Sequence, residues 1–257
     1  MFRERLEETP GFATGLKLQP DELERVRSLI EQQWLSCLQN VAPEHTHAFA
    51  ERGIDRYHEL SHLVAHASIW QRDARMLSKS AVAEVRNMSL FKQLEKEFGS
   101  VAISDEENVG WEAMHWRLVR PKQSSDVGPI HADCWFWDLN GWYVPTNMQR
   151  FKVWIAVVCE PGLSGLRLVP DSHLQDWSYQ GEQRHGVMKP QLQVDEKELS
   201  LKLFHSQPGD AIAFNYNLLH GGAVSTGTLT RVSLEFTIFV PQQVSKSQFI
   251  PKQQARF

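Results

Sequence analysis

The chain has 257 residues, of which 42% are hydrophobic, so it can bury an ordinary core and we expect one domain over residues 1–257. Its formal net charge of -4 and its pI near 6.3 lack the basic excess of nucleic-acid-binding proteins, which argues against a nucleic-acid partner. No apolar run approaches the roughly 18 residues that a membrane-spanning helix needs, so no membrane partner is predicted.

The cysteines bear on the compartment. There are three, Cys37, Cys134 and Cys159, an odd number without a C-x-x-C pair. The first residues also lack the apolar segment of a secretory signal. Both features predict a reduced, cytoplasmic setting, and neither predicts an oligomeric state.

Residues 1–106 are predicted to form a mostly helical layer. From Pro20 onward, Leu23, Val26, Ile30 and Trp34 follow one another at spacings of three and four behind an acidic first turn. Similar periodicity recurs over residues 54–66 and 82–98. No low-complexity linker follows, so we expect these helices to pack onto the rest of the chain.

One motif in this layer suggests a different chemistry. The segment His58-Glu59-Leu60-Ser61-His62 fits H-E-x-x-H, in which two histidines bind zinc and a glutamate acts as base. The extended form with a glycine and a third histidine is absent. The motif therefore favours a polar stripe on a surface helix, and a zinc metallopeptidase using His58, Glu59 and His62 remains a minor alternative.

After Glu107 the pattern changes from helical periodicity to short β-prone runs separated by turn residues. The runs cover residues 111–119, 151–158, 165–169, 199–205, 211–216 and 231–240. Many short strands in succession indicate a sandwich or jelly roll. We predict a mainly β fold with α-helices, in which a double-stranded β-helix (jelly roll, cupin-like) occupies residues 107–243. The N-terminal helices would pack on its outer face, and residues 244–257 would form a tail.

The last run has two different faces. Its even-numbered residues from Val232 to Val240 are all apolar, whereas Arg231, Ser233, Glu235 and Thr237 form a polar face. The polar face should line the inside of the roll. An inward guanidinium is costly unless it meets an anion, so Arg231 predicts either a bound carboxylate or a structural salt bridge, for example to Glu235.

Three residues could form a metal site. In an extended strand, residues two apart share a face, so His131 and Asp133 would present an imidazole and a carboxylate side by side. A second imidazole from His220 would complete the set. Two histidines and one carboxylate with open opposite positions is the arrangement of non-haem Fe(II) oxygenases.

The chain resembles the phytanoyl-CoA dioxygenase family of Fe(II)/2-oxoglutarate-dependent oxygenases. The match rests on His131-Ala132-Asp133 after a polar loop, on the segment from Gly165 to His173, on Pro208-Gly209-Asp210 at the start of a strand, and on His220-Gly221-Gly222 followed by Arg231-Val232-Ser233. The order of these pieces and the spacing between them agree with the family. The resemblance covers about residues 111–240.

This resemblance implies a role for several positions. His131, Asp133 and His220 would bind Fe(II), and Arg231 with Ser233 would hold the distal carboxylate of the co-substrate 2-oxoglutarate. Trp154, and with it Trp116, corresponds to tryptophans that line the co-substrate pocket, although both could equally lie in the core.

Two further positions bear on the resemblance. Asp171 stands where the family commonly has glycine, and His173 in the same signature is interpreted as structural. A related halogenating group replaces the carboxylate ligand with a small residue. The presence of Asp133 therefore predicts hydroxylation or a related oxidation of a small-molecule substrate, with O₂ consumed and succinate and CO₂ released. A catalytically silent jelly-roll binding protein that keeps the pocket shape is the alternative from another class.

Specificity is predicted to reside in two segments. An aromatic cluster with Trp135, Trp137 and Trp142 follows the first ligands in a predicted loop, and it could form a substrate wall or only a hydrophobic plug. Residues 174–198 form a polar insertion that is either a lid or a solvated loop. We expect a polar small metabolite of a biosynthetic pathway, because no distinct basic cluster is present for the phosphates of an acyl-CoA.

Overall fold

The protein is described by a computed structural model that covers residues 1–184 and 187–242, so the predicted tail over residues 244–257 lies outside the described residues. Its helices are α1 (Phe2–Glu7), α2 (Pro20–Val41), α3 (Thr46–Arg52), α4 (Tyr57–Leu60), α5 (His66–Ile69), α6 (Lys79–Arg86), α7 (Ser89–Phe98) and α8 (Asp133–Asn140). None of these helices is long and apolar enough to cross a bilayer.

The strands form antiparallel sheets. They are β1 (Phe12–Lys17), β2 (Ala102–Ile103), β3 (His115–Val119), β4 (Met148–Val158), β5 (Leu166–Leu168), β6 (Tyr179–Arg184), β7 (Val187–Leu192), β8 (Lys202–Leu203), β9 (Asp210–Asn215), β10 (His220–Gly222) and β11 (Arg231–Pro241). The major sheet has six strands in the order β1-β9-β4-β11-β2, with β3 also paired to β11. The minor sheet has the order β10-β5-β8, and β6 with β7 forms a hairpin.

Alternation along the long strands separates a helix-facing side from an inner side. On β11, Val232, Leu234 and Phe236 pack in one buried cluster with residues of α2 such as Val26 and Trp34. This is the pattern expected when a period-two strand meets a period-3.6 helix across a shared core. The helices therefore cover the outer face of the major sheet, as predicted.

The inner side of the major sheet packs against the minor sheet. Trp154 on β4 and Phe214 on β9 share a buried cluster with Leu166 and Leu168 on β5. Two antiparallel sheets facing each other, with helices outside, confirm the predicted jelly-roll core. Arg231, Ser233 and Glu235 of β11 lie between the sheets, where they line a cavity with His220.

The N-terminal layer differs from its prediction in two respects. The segment Phe12–Lys17 is a strand that extends the major sheet by pairing with β9, with a register shift between Thr14 and Leu16. Its sequence has no marked alternation, so the pairing partner decides its conformation. The predicted helix over residues 54–66 is instead a series of short helical turns. The helices over residues 20–41 and 79–98 agree with the periodicity.

Candidate metal centre

His131 and His220 are held opposite each other by the backbone. They form an isolated antiparallel bridge in which the amide of each donates to the carbonyl of the other, at 3.0 and 2.9 Å. The two imidazole rings lie 4.5 Å apart between centroids. This reciprocal pairing fixes both Cα positions, so residues that are 89 apart in the chain meet without any long side-chain reach.

Both imidazoles direct Nε2 toward Asp133 and use Nδ1 to bond to the backbone. Nδ1 of His131 donates to the carbonyl of Pro129 at 2.9 Å, and Nδ1 of His220 donates to the carbonyl of Leu218 at 3.0 Å. The proton on Nδ1 leaves the lone pair of Nε2 free for a metal. Burial, and then the neighbouring His220, lower the pKa of His131 to about 4, which keeps its ring neutral near pH 7.

Asp133 completes the cluster from the first position of α8. Its Oδ1 lies 3.9 Å from Nε2 of His131, and its Oδ2 lies 3.7 Å from Nε2 of His220. The predicted extended strand is wrong here, because the chain turns into a helix directly after Ala132. The short connection still keeps His131 and Asp133 on one side, so the two ligand types meet as the spacing suggested.

The donor set fits a divalent metal ion. The three ligand atoms lie within 4.8 Å of one another, and this is the metal-competent cluster found in the described part of the chain. Oδ2 of Asp133 is buried without a hydrogen-bond partner there. A buried carboxylate oxygen without a donor is costly, and a cation in the cluster would satisfy it. Two histidines and one carboxylate are the facial set of non-haem iron.

Arg231 lies at the first residue of β11 and is almost completely buried. Its Nη1 donates to Oγ of Ser233 at 3.4 Å, while its Nε is buried without an acceptor in the described residues. Burial lowers the pKa of Arg231 to about 10. Glu235 is bound to Arg117, so the alternative of an Arg231–Glu235 salt bridge does not hold. An anion is the missing partner of this guanidinium.

The two tryptophans predicted to line the co-substrate pocket have different positions. Trp154 is on the inner side of β4, with the guanidinium of Arg231 5.9 Å from its ring centroid, and it lines the cavity. Trp116 does not. It packs in the helix-facing core and donates from Nε1 to Gln33 on α2 at 3.2 Å. The prediction for Trp116 is wrong because side chains alternate along β3, and His115 and Arg117 take the inner side.

The aromatic cluster is a helix rather than the predicted loop. Because helical neighbours share a face at spacings of three and four, Phe136 and Trp137 lie on the same side of α8 as Asp133 and line the cavity. Trp142 lines it too. Trp135 lies on the opposite side of the helix and stacks on Tyr179 at 4.6 Å. Phe136 belongs to the same aromatic cluster but was not singled out as a substrate residue; its ring is edge-on to His131 at 5.2 Å.

The insertion over residues 174–198 contains the β6–β7 hairpin. The hairpin packs on α8, where Nδ2 of Asn140 donates to the carbonyl of Met188 at 3.1 Å. Val187, Pro190 and Gln191 line the cavity from this side. His185 and Gly186 lie outside the described residues. The hairpin thus covers the cavity, and its opening as a lid stays a prediction.

The H-E-x-x-H segment does not form a metal site in the described structure. The helix α4 ends at Leu60 and a 3-10 turn follows, so His58 and His62 are not on one continuous helix. Nδ1 of His58 bonds to Oγ1 of Thr230 at 3.0 Å, and Glu59 pairs with Arg52 at 3.1 Å and with Arg56. These partners give the segment a structural role.

The signature around residue 171 also has a structural role. Asp171 has a positive φ of 66°, the conformation that glycine adopts without strain, which explains why glycine is common there. His173 packs against Gly11, where an added Cβ would come within 2.4 Å of its Nδ1. Neither residue lines the cavity.

Sequence reasoning missed most of the charged groups inside the roll. Arg117 donates from Nε to Oε1 of Glu235 at 2.8 Å, and Nζ of Lys152 lies 3.5 Å from Oγ1 of Thr237. The same threonine hydroxyl donates to Glu106. Lys152 shares the inner face of β4 with Trp154, but a single lysine in an apolar run forms no pattern from which its position could be predicted.

The facing sheets and the two-histidine, one-carboxylate cluster define a jelly-roll protein with a non-haem metal centre. The sequence model described as phytanoyl-CoA dioxygenase (PhyH) matches residues 18–232. The chain belongs to this family and is an Fe(II)- and 2-oxoglutarate-dependent oxygenase. No curated protein matches it by sequence.

Solved structures share the fold at low identity. EvdO2 from Micromonospora carbonacea var. aurantiaca, complexed with 2-oxoglutarate, has a TM-score of 0.59 and 14% identity over 95% of this chain and 92% of its own. The apo non-haem monooxygenase ThoJ has a TM-score of 0.53 and 12% identity over 95% of this chain and 80% of its own. At such identities the likeness concerns the fold.

Proposed function

We propose that this oxygenase hydroxylates a small metabolite and couples each turnover to conversion of 2-oxoglutarate into succinate and CO₂. The observation that carries the proposal is the cluster of His131, Asp133 and His220, whose Nε2 lone pairs and unpartnered carboxylate oxygen converge. When bound there, Fe(II) with 2-oxoglutarate supplies O₂ activation for oxidation of a C–H bond. The retained carboxylate of Asp133 supports hydroxylation rather than halogenation.

Specific residues would hold the co-substrate. Arg231 and Ser233 would bind the distal carboxylate of 2-oxoglutarate, with the guanidinium donating two parallel bonds. Trp154 beneath Arg231 would limit its movement. Support for these roles comes from the burial of Arg231 and from its unused Nε. EvdO2, which shares the fold, was solved as a complex with 2-oxoglutarate, which supports 2-oxoglutarate as the co-substrate.

The cavity supports a small, polar substrate. Its volume is about 580 Å³, within the usual range for small-molecule sites. Trp137 and Trp142 offer apolar surface on one side, while Lys152, Arg117 and Glu235 offer charge on the other. An apolar acyl chain would displace water from these charged groups and offer them no hydrogen bonds in return, so a polar metabolite fits better.

The test compares two histidine variants. His131→Ala should abolish high-affinity Fe(II) binding and substrate-stimulated succinate formation, because it removes one of three ligands. His62→Ala is the matched control, since His62 is exposed and belongs to the H-E-x-x-H segment. Succinate release and Fe(II) and 2-oxoglutarate affinity are measured for both. Activity lost in His62→Ala but kept in His131→Ala would contradict the proposal, as would a wild-type protein that binds neither Fe(II) nor 2-oxoglutarate.

A further inference from the structure

Arg75 is a cation in the cavity wall whose hydrogen bonds go to backbone carbonyls. Its Nε donates to the carbonyl of Trp70 at 2.9 Å and its Nη1 to the carbonyl of Trp116 at 3.4 Å. Within residues 1–184 and 187–242, Arg75 forms no ion pair and its Nη2 has no hydrogen-bond acceptor. These two anchors hold the guanidinium in place while one edge remains available.

The neighbouring arginines of this wall do have carboxylate partners. Arg72 donates to Glu106 at 2.9 Å and also pairs with Glu107. Arg117 places both Nε and Nη2 on the single oxygen Oε1 of Glu235, at 2.8 and 2.7 Å. Of these three arginines, Arg75 is therefore the one without a carboxylate partner among the described residues. Burial, and then the charge of Arg117, lower its pKa to about 9.

The backbone places Arg75 beside Arg117. Met76 forms an isolated bridge with His115 on β3, and Trp116 is both an anchor of Arg75 and the chain neighbour of Arg117. Half of the Arg117 side chain is accessible (50%), and both arginines line the cavity that holds the metal cluster. Two guanidinium groups thus face one space with hydrogen-bond donors left over.

We propose that the primary substrate carries a carboxylate that binds between Arg75 and Arg117, with the rest of the molecule directed toward His131 and Asp133. The inference rests on the proposed function for the identity of the reacting site. A carboxylate there would accept hydrogen bonds from the free N–H groups, offset the repulsion between the two cations and give the desolvated Arg75 a charge partner. Arg75 is then a specificity-determining residue, distinct from the Arg231 clamp.

The experiment uses the full-length protein loaded with Zn(II), which is redox-inert, and saturating 2-oxoglutarate, so that the Arg231 site is filled. Benzoate and its neutral analogue benzamide are the probes, and their affinity is measured by ligand-observed NMR. Wild type should prefer benzoate. Arg75→Gln should weaken benzoate binding by about tenfold or more, with benzamide unaffected, and Arg75→Lys should restore part of it.

Arg86→Gln is the matched control, because Arg86 also donates to a backbone carbonyl, that of Val101, but does not line the cavity. It should bind benzoate as the wild type does. Equal benzoate affinity in wild type and Arg75→Gln, or no preference for benzoate over benzamide in the wild type, would overturn the inference. So would a matching loss of 2-oxoglutarate affinity in Arg75→Gln.

Failure of the proposed function can be told apart from failure of this inference, because 2-oxoglutarate binding tests the former and the Arg75 dependence of benzoate binding tests the latter. If 2-oxoglutarate does not bind the zinc-loaded protein, the benzoate titration is run with Zn(II) alone. The dependence on Arg75 then still decides the inference. If both results hold, carboxylic-acid metabolites should stimulate succinate release more than their methyl esters, and Arg75→Gln should raise KM for the acids more than it lowers kcat.

Discussion

The buried guanidinium of Arg231 allows a direct test at the scale of one residue. Arg231→Ala should weaken 2-oxoglutarate binding by roughly 10- to 1000-fold, because it would remove the proposed two-bond contact between the desolvated guanidinium and the distal carboxylate. Fe(II) affinity should change little, since the three ligands are untouched. Arg231→Lys should recover only part of the affinity, as a point charge replaces a planar fork. Calorimetric titration of each ligand checks this, and unchanged 2-oxoglutarate affinity in a folded Arg231→Ala protein would refute it.

Gly222 leaves the Arg231 guanidinium little free space on one side. A Cβ on Gly222 would lie 3.2 Å from both Nη2 of Arg231 and Cγ1 of Val127, which is closer than such contacts normally are. Gly222→Ala should displace the guanidinium and reduce 2-oxoglutarate affinity by about tenfold, the size expected when one such contact is weakened. Gly128→Ala is the control, because Gly128 also lines the cavity but has nothing within 4 Å of an added Cβ. The steric explanation fails if both variants lose affinity equally.

At the scale of elements, α8 connects the metal cluster with the β6–β7 hairpin. Asp133 begins the helix, and Trp135 on its other side stacks on Tyr179 of β6. Trp135→Ala should loosen the hairpin, because an aromatic pair and its buried area are lost. Amide hydrogen exchange over residues 179–184 and 187–192 should accelerate roughly tenfold, the equivalent of about 1.4 kcal/mol.

The matched control for this change is Tyr143→Ala, which removes an aromatic side chain that is 77% exposed just beyond α8. It should leave hairpin exchange unchanged. Trp135→Ala should also raise the KM of the primary substrate while Fe(II) affinity stays the same. A rigid hairpin in Trp135→Ala would show that other contacts, such as Asn140 with Met188, are sufficient to hold it.

For the whole molecule, Asp126 joins the loop before His131 to the helical layer. Arg120 donates to both of its oxygens at 2.8 Å, and His66 lies 3.3 Å from Oδ1. Burial raises the pKa of Asp126, but the bonds from Arg120 and His66 outweigh it and hold the pKa well below the usual 3.8. The stabilisation that the Asp126 carboxylate provides is therefore fully present above the usual pKa of 3.8 and is lost progressively as the pH falls below 3.8.

Asp126→Asn should reduce the free energy of unfolding at pH 7 by about 3 kcal/mol, because it leaves the partly buried Arg120 without its charge partner. The difference from wild type should shrink as the pH falls below about 4, because Asp126 of the unfolded chain then binds a proton that the folded protein resists, and it should go on shrinking until the folded carboxylate is itself protonated at a much lower pH. Urea unfolding at each pH measures it. Glu84→Gln, at a solvent-accessible pair with Arg25, should cost less than about 1 kcal/mol. A pH-independent difference would contradict the assigned pKa direction.

The sequence alone determined the class of fold and the residue types of the candidate site. Alternation along β11 placed Val232 and Leu234 outside and Arg231 and Ser233 inside, because side-chain direction in a strand follows from period two. The motif spacing identified His131, Asp133 and His220 as candidates, and the structure brings them together. The alternation and the H-x-D spacing are local, so neighbouring residues suffice to predict them, whereas His220 was added from the resemblance to the family.

Tertiary structure decided everything that depends on the partner of an element. The strand β1 forms because β9 offers an edge for pairing. The helix α8 forms in place of the predicted loop, and its geometry puts Phe136 on the cavity side and Trp135 on the opposite side. Trp116 turned toward Gln33 because helices cover that face of β3. The position of Arg75 beside Arg117 depends on a bridge between residues 76 and 115. Contacts between segments far apart in the chain leave no period in the sequence, so only packing could place them.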